Sequence, residues 1–255
     1  MTTADRARTL LELHSDPALL VLVNVWDVIS ARVVADLPGT TALATASHSI
    51  AATLGYEDGE HIPRDEMLQM VGRIAAAVDL PVTADLEAGY GDAGETVRRA
   101  IGLGVVGANI EDQMRPLPEA VAAVAAVVAA GQAEGVPFVL NARTDALLKA
   151  GDRPRADALA EAITRGKAYV EAGAPVVFVP GKLTADEVAA VVAGIGPVSL
   201  IAVPGSIPLA QMSELGVQRV SLGPWTQRIA LTALADAGAS LLAGGAVPDG
   251  TRALN

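Results

Sequence analysis

The sequence predicts an α/β protein folded as a single (β/α)8 barrel over residues 1–255. Eight short apolar runs, rich in β-branched residues, alternate along the chain with stretches that carry helix signals. This alternation requires parallel strands joined by right-handed crossovers, and eight repeats in 255 residues are most simply closed into a barrel. No linker or low-complexity tract marks a second domain, and a doubly wound open sheet is the alternative architecture.

The predicted strands are the apolar runs themselves, because strands buried on both faces show continuous rather than alternating hydrophobicity. Each run is bounded by turn-forming or polar residues, which limits it to strand length. In chain order the runs are Leu19–Trp26, Thr41–Ser47, Pro81–Glu87, Val105–Asp112, Pro137–Thr144, Val176–Gly181, Val198–Val203 and Arg219–Trp225.

The helices are predicted from signals that do not depend on the strands. Met1–His14 has a short amphipathic pattern and lacks the apolar core of a secretory signal, so we expect a surface helix there. Asp92 with Glu95, and Thr184 with Glu187, have the spacing of a capping box, in which two side chains satisfy free amides at a helix start.

Two further helices are unusually apolar. One runs from Leu117 to Gln132 and is rich in alanine, and the other is the final helix from Thr226 to Leu242. Small side chains allow close approach between helices, and exposed apolar strips favour association. We therefore expect a homodimer or homotetramer with the C-terminal helix in the contact.

The composition excludes several classes of function. The net charge of -11 and the presence of only two Trp, three Tyr and two Phe disfavour nucleic acid as a partner. The absence of cysteine excludes disulfides, thiolate nucleophiles and Cys-ligated metals. The longest apolar stretch, Ala120–Ala130, is shorter than the roughly 18 residues of a membrane span. We expect a cytoplasmic protein with no membrane partner.

Polar residues gather at the C-terminal ends of the predicted strands, which is where a barrel builds its active site. Residues two apart on a strand point to the same side, so Asp85 is expected beside Glu87, and Asn109 beside Glu111. The polar residues at strand ends are Asp27, Ser47, His48, Asp85, Glu87, Asn109, Glu111, Asp112, Asn141, Arg143 and Asp145.

Crowded carboxylates at this mouth predict a bound cation. Like charges in one site raise each other's pKa unless a positive charge lies among them. With oxygen ligands, no cysteine and no histidine cluster, Mg²⁺ or Mn²⁺ is favoured over zinc. Solvated loop carboxylates or helix N-caps are the alternative interpretation.

Four segments resemble the isocitrate lyase and phosphoenolpyruvate mutase superfamily. They are Leu54-Gly55-Tyr56-Glu57-Asp58, Thr83-Ala84-Asp85-Leu86-Glu87-Ala88-Gly89-Tyr90-Gly91, Asn109-Ile110-Glu111-Asp112 and Asn141-Ala142-Arg143-Thr144-Asp145. The resemblance spans about Asn24 to Trp225. It implies a (β/α)8 barrel that forms dimers or tetramers and uses Mg²⁺ to hold a 2-oxo or 2-hydroxy acid. It also implies bond cleavage or formation at carbon through an enolate.

By this resemblance, the acidic residues would hold the metal. Asp85 would be the principal ligand, and Glu87 and Glu111 would bind directly or through water. Asp58 would join the same shell. Glu87 departs from the family pattern, because many relatives carry the shorter aspartate at that position.

The resemblance also assigns substrate contacts. Arg143 would grip the substrate carboxylate and steady the enolate oxygen, since its planar fork matches a carboxylate. Ser47 and His48 would lie in the carboxylate-binding turn. Asp145 is a candidate base or a partner of Arg143, and His48 or a bound water could also transfer protons. Trp26 either flanks the mouth and contacts substrate or caps the core.

The chain departs from the family's lyases in ways that leave three functions open. The cysteine-bearing gating loop after the fourth strand is missing, and Gln113–Glu119 leads directly into a helix. The far side of the pocket, near Val179-Pro180-Gly181 and Ala202-Val203-Pro204, looks apolar. The candidates are a Mg²⁺-dependent carbon–carbon lyase or decarboxylase, a phosphonopyruvate-type mutase or hydrolase, and a non-catalytic barrel that binds metal and carboxylate.

Overall fold

The computed structural model describes residues 1–254 and shows a parallel barrel surrounded by helices. All strand pairs in it are parallel. The strands are β1 Leu20–Leu22, β2 Asn24–Val25, β3 Leu43–Thr45, β4 Val82–Asp85, β5 Gly107–Glu111, β6 Val139–Arg143, β7 Val176–Phe178, β8 Val198–Ile201 and β9 Arg219–Ser221.

The barrel closes through the first apolar run, which forms two strands rather than the one predicted. Leu20–Leu22 pairs with β9, whereas Asn24–Val25 pairs with β3. The run changes partner at Val23, so its two halves join the ends of the sheet order β1-β9-β8-β7-β6-β5-β4-β3-β2. The predicted (β/α)8 architecture is confirmed, with β1 and β2 together in the place of one barrel strand.

The helices are α1 Thr3–Ser15, α2 Val28–Ala35, α3 Ser47–Thr53, α4 Arg64–Ala76, α5 Ala93–Gly102, α6 Leu117–Ala133, α7 Arg155–Glu171, α8 Ala185–Ile195, α9 Leu209–Glu214 and α10 Trp225–Leu242. Helix α1 precedes the first strand, α10 follows the last, and the other helices connect β2 to β9 in chain order. Asp92 caps α5 through the amide of Glu95, and Thr184 forms the complete capping box with Glu187. Both predicted helix starts are confirmed.

The N-terminal helix α1 covers the end of the barrel where the strands begin. Its buried residues are Ala7, Leu10 and His14, and its other residues are exposed or partly buried, so the amphipathic surface helix predicted at Met1–His14 is present and packs one face against the barrel. An ideal Cβ on Gly107 would lie 2.9 Å from Leu10 Cδ2, which shows that the leucine fills the space that Gly107 leaves. Burial, reinforced by the charge of Arg219, lowers the pKa of His14 to about 4.

The interior of the barrel is more polar than a typical hydrocarbon core. Arg219, Asn141 and Ser199 are fully buried on the strands, where branched apolar residues usually dominate. Arg219 Nη2 donates to Asn109 Oδ1 at 3.4 Å, and Asn141 Nδ2 donates to the same oxygen at 2.7 Å. Burial lowers the pKa of Arg219 to about 9. A buried positive charge therefore lies beneath the mouth.

The C-terminal helix α10 contrasts with the others because its apolar side chains face solvent. Gln227 is its one buried residue among those described, whereas Ile229 and Leu234 are each 68% exposed and Leu242 is 93% exposed. Within residues 1–254, no helix combines the length and the apolar character that crossing a bilayer requires.

The close packing of α1 against the barrel gives a stability prediction. Gly107→Ala should lower the free energy of unfolding by about 1–3 kcal/mol, because a new methyl group would meet Val139 O at 2.7 Å as well as Leu10. Gly102→Ala is the matched control, since it lies on α5 with no heavy atom within 4 Å of the added methyl. It should raise stability by about 0.5 kcal/mol. Urea unfolding measures both, and equal stabilities would contradict the packing.

Candidate active site

A cavity of about 150 Å³ opens at the mouth of the barrel, where the strands end. This volume is below the roughly 300–1,000 Å³ of sites for drug-sized ligands, so it suits a small molecule. Five residues that the sequence analysis assigned to the site line this cavity: Ser47, His48, Asp58, Asp85 and Arg143.

Ser47 joins two of the carboxylates at the mouth. Its hydroxyl donates to Asp85 Oδ2 at 2.8 Å and lies 3.3 Å from Asp58 Oδ1. Its backbone amide also donates to Asp85 Oδ2, at 3.1 Å. The hydroxyl of Thr45 accepts a hydrogen bond from the backbone amide of Asp85 at 3.0 Å, which joins the end of β4 to the end of β3. The Asp85 carboxylate is thus oriented through one oxygen.

Arg143 lies between two carboxylates on the opposite part of the wall. Its Nη1 is 2.7 Å from Glu111 Oε2, and its Nε donates to Asp145 Oδ1 at 2.8 Å. Lys149 Nζ lies 3.5 Å from the other oxygen of Asp145. Asp145 is fully buried, and it pairs with Arg143, which was one of the two roles considered for it.

A buried network behind the wall positions Asp145. Asp112 Oδ1 accepts the backbone amides of Asp145 at 3.0 Å and Met114 at 2.9 Å. Asp112 Oδ2 accepts hydrogen bonds from the hydroxyl of Tyr169 at 2.6 Å and from Nη1 of Arg165 at 3.2 Å. Burial would raise the pKa of Asp112, but these hydrogen bonds outweigh it and hold that pKa below its ordinary value. Asp112 is therefore a structural anion.

Two other carboxyl groups at the mouth are destabilised as anions. Burial, reinforced by the charges of Asp85 and Asp58, raises the pKa of Glu87 to about 8. Burial also raises the pKa of Glu111 to about 7, although the neighbouring Arg143 opposes the change. The mutual repulsion expected from the sequence is present in the structure.

The segment after β4, which carries the buried Glu87, has an unusual backbone. Glu87 and Tyr90 have φ of 57° and 55°, values that non-glycine residues seldom adopt. Gly89 has φ of 92°, and an added Cβ there would lie 2.6 Å from the Cα of Ala93. Strained positions of this kind persist where surrounding structure enforces them and are concentrated at functional sites.

Two of the acidic side chains at the mouth offer oxygens of the kind that a hard divalent cation prefers. Asp85 Oδ1 and Glu87 Oε1 are buried and have no hydrogen-bond partner among residues 1–254. Glu111 is engaged by Arg143, which favours a contact through water for that residue. Among residues 1–254, no group of three or more His, Asp or Glu side chains is placed so that it could hold a metal ion. Mg²⁺ is commonly held by one or two carboxylates and otherwise by water and substrate.

Trp26 and His48 occupy different positions relative to the cavity. His48 is half-buried and lines the cavity directly. Trp26 lines a separate apolar depression of about 310 Å³ between α2 and α10, together with Ile29 and Ala230. The structure therefore places Trp26 outside the group of side chains that surround the main cavity.

Sequence reasoning left several wall residues unassigned. Asn24 Oδ1 accepts the amides of Leu222 at 2.7 Å and Gly223 at 2.8 Å, and its Nδ2 donates to Thr45 O at 2.8 Å. Asn109 was placed on the correct face but given no role. The remaining unassigned wall residues include Phe178, Ile201 and Leu148, whereas Pro180 lies on the wall as expected for the apolar far side. The one sequence signal for Asn24 was that this polar residue interrupts an apolar run.

The chain is similar to known proteins over almost its whole length. A family model described as phosphoenolpyruvate phosphomutase matches residues 10–242, which include every residue of the cavity wall. A provisionally assigned phosphonomutase structure from Burkholderia cenocepacia J2315 is 40% identical, with a TM-score of 0.86, and the match covers 91% of this chain and 98% of that one.

Two further relatives have names that state an activity. Oxaloacetate decarboxylase of Rhodopseudomonas palustris (strain HaA2) is 30% identical over 230 residues, which are 87% of this chain and 78% of the relative. The structure of oxaloacetate acetylhydrolase in complex with the product oxalate is 28% identical, with a TM-score of 0.86, covering 98% of this chain and 91% of that one.

The network behind Asp145 can be tested by removing one hydroxyl. Tyr169→Phe should lower the free energy of unfolding by about 1.5–3 kcal/mol, because it deprives a buried carboxylate of a short hydrogen bond. Tyr56→Phe is the matched control, since its hydroxyl contacts Glu66 at the surface and should contribute much less. Chemical denaturation of both variants measures the difference. Equal losses would show that the Asp112 network does not hold the wall.

Proposed function

The chain belongs to the phosphoenolpyruvate mutase and isocitrate lyase superfamily, and on that premise we propose that it breaks a carbon–carbon bond in a small 2-oxo or 2-hydroxy acid. Its matching relatives are lyases and mutases, so the chain is an enzyme of this type rather than a barrel that only binds ligands. We propose an enolate as the reactive species and Mg²⁺ or Mn²⁺ as the cofactor.

One observation carries this proposal, which is that a guanidinium and an oriented carboxylate line the same small cavity. Arg143 supplies fixed positive charge, and Asp85 lies in the acidic part of the wall with one oxygen free of hydrogen bonds. A 2-oxo acid presents a carboxylate, which pairs with a guanidinium, and a neighbouring carbonyl oxygen, which would pair with a cation held by the Asp85 carboxylate. The geometry of the cavity thus matches the functional groups at one end of such an acid.

Asp85 and Glu87 are the residues that would hold the cation, with Glu111 and Asp58 acting through water. When bound, a divalent cation would stabilise the negative charge that grows on the substrate oxygen as the bond breaks. The raised pKa values of Glu87 and Glu111 support this assignment, because a cation among them would stabilise the anions that burial, and to a lesser degree neighbouring negative charges, disfavour.

The protein's own residues would bind and orient the acid and transfer its protons. Arg143 would bind the substrate carboxylate and strengthen its contact as charge develops, the usual route to electrostatic catalysis. Ser47 holds Asp85 in position. His48 and Asp58 line the cavity without an arginine partner, so we assign proton transfer to them in preference to Asp145.

Cleavage of a phosphorus–carbon bond in a phosphonopyruvate-type acid is the second candidate. The family description and the Burkholderia structure favour it. A phosphonate carries more negative charge than a carboxylate and needs more cationic partners. Among the cavity-lining side chains of residues 1–254, Arg143 is the one arginine or lysine, which favours the carbon–carbon lyase.

We also propose that the enzyme forms a homodimer or homotetramer through α10. The apolar side chains exposed along this helix exceed what isolated surface residues usually show. Ile29, also exposed, lies with Trp26 on the neighbouring α2 side and extends the apolar surface. Association between copies would remove this surface from water.

The enolate chemistry predicts exchange of protons on a simple 2-oxo acid. The enzyme with Mg²⁺ should exchange the methyl protons of pyruvate for deuterium in heavy water, measured by proton NMR. Arg143→Lys should slow this exchange by roughly 100-fold or more, because an ammonium cannot replace the two-pronged contact. Arg98→Lys, a change of an exposed arginine on α5, is the control and should have no effect. Exchange no faster than with Mg²⁺ alone would refute the proposed function.

The cation assignment predicts linked binding of metal and a planar dianion. Oxalate, which mimics the enolate of pyruvate, should bind at least about 10-fold more tightly with Mg²⁺ than without it, since charge neutralisation lowers the cost of placing an anion among acids. Asp85→Ala should abolish this difference, whereas Asp65→Ala on α4 should preserve it. Isothermal calorimetry measures the constants, and oxalate affinity that is indifferent to Mg²⁺ would overturn the metal site.

A further inference from the structure

The wall of the cavity is divided into a polar half and an apolar half. The polar half follows β3 to β6 and contains Ser47, Asp85, Asn109 and Arg143. The apolar half follows β7 and β8 and contains Phe178, Pro180 and Ile201. A molecule that fills this cavity must present polar atoms on one side and carbon on the other.

The two halves meet directly beside Arg143. The strand register pairs Arg143 of β6 with Phe178 of β7, so neighbouring side chains at one level project into the cavity. Phe178 is 5% exposed and lines the cavity. On the next strand, Ile201 pairs with Ser221 of β9, which marks the far limit of the apolar half.

Leu148 continues the apolar half to the rim. It lies in the loop after β6, lines the cavity and is nevertheless 54% exposed. Nζ of the adjacent Lys149 lies 3.5 Å from Asp145 Oδ2, so its positive charge already has a carboxylate partner. An exposed apolar side chain at the mouth favours binding of a ligand whose carbon chain covers it, because the contact removes apolar surface from water.

We propose that the substrate is a 2-oxo monocarboxylate that carries a hydroxyl group at C4, next to the bond that breaks, and an uncharged, apolar tail beyond it. Transfer of the C4 hydroxyl proton to a base moves the electrons of the C3–C4 bond into the pyruvate enolate and releases the tail as an aldehyde. This inference rests on the proposed function and names the class of acid that the site accepts. The single carboxylate lies at Arg143, and the tail extends along Phe178 and Ile201 toward Leu148. A second carboxylate on the tail would lose its water against carbon without a cationic partner, which makes the apolar half select against dicarboxylates.

Binding of two acids of equal length tests the inference without requiring turnover. With Mg²⁺ present, calorimetry should show 2-oxopentanoate binding at least roughly 10-fold more tightly than 2-oxopentanedioate, which differs only in a terminal carboxylate in place of methyl. Equal affinities, or tighter binding of the dicarboxylate, would overturn the proposal.

A lysine at the rim should weaken the preference for the monocarboxylate. Leu148→Lys should reduce the ratio of affinities for the two acids at least fivefold, because the new ammonium can pair with the terminal carboxylate. Leu103→Lys adds the same charge at the C-terminal end of α5, where the side chain is 43% exposed, and should leave the ratio unchanged. An unchanged ratio in Leu148→Lys, or the same change in both variants, would contradict the assigned position of the tail.

The pyruvate exchange assay separates failure of this inference from failure of the proposed function. Pyruvate has no tail, so its exchange reports enolate formation alone. Exchange together with a preference for the dicarboxylate would refute the apolar tail and leave the lyase in place. Selective binding of 2-oxopentanoate without exchange would support the recognition of the tail and refute the lyase.

Discussion

The pairing of Arg143 with two buried carboxylates is the interaction on which the rest of the site depends. Glu111 and Asp145 bind different nitrogens of the guanidinium, which fixes its plane at the cavity wall. Removal of one partner from such a pair leaves a buried charge without compensation, so the three side chains act as one unit. Asp112 extends this unit inward by holding the amide of Asp145. The site therefore obtains a rigid positive charge although most of the ionisable groups at the mouth are acidic.

The acidic side of the mouth lacks this pairing of opposite charges. Around Asp85 and Glu87 negative charge is concentrated and incompletely compensated, as the raised pKa of Glu87 shows. The backbone contributes, because the left-handed conformation at Glu87 and the Gly89 turn hold the glutamate where burial disfavours its charge. The charges around Arg143 are thus paired within the protein. The carboxylates around Asp85 and Glu87 lack such partners and would attract a cation. This asymmetry gives the cavity a direction along which a small acid can be oriented.

The barrel and the main polar residues could be predicted from sequence because they follow from periodicity and from polar interruptions at strand ends. Ser47, Asp85 and Arg143 all stand where an apolar run stops, and parallel strands bring such ends together. The break at Val23 could not be predicted, because a change of strand partner leaves the hydrophobic pattern unaltered. The amphipathic pattern predicted α1, but amphipathicity does not reveal what the apolar face of a helix packs against. Phe178 and Ile201 were left out because an apolar residue facing a cavity looks the same in sequence as one facing the core.

Asn24 has a consequence for how the protein is made. Its side chain bridges Thr45, near the start of the chain, and the amides of Leu222 and Gly223, which are about 200 positions later. During synthesis the N-terminal half emerges from the ribosome long before those amides exist, so the ring of strands stays open until β9 and the residues that follow it have been made. The pocket is therefore among the last features to form, and a nascent chain halted before residue 222 lacks the closing contact that completes it.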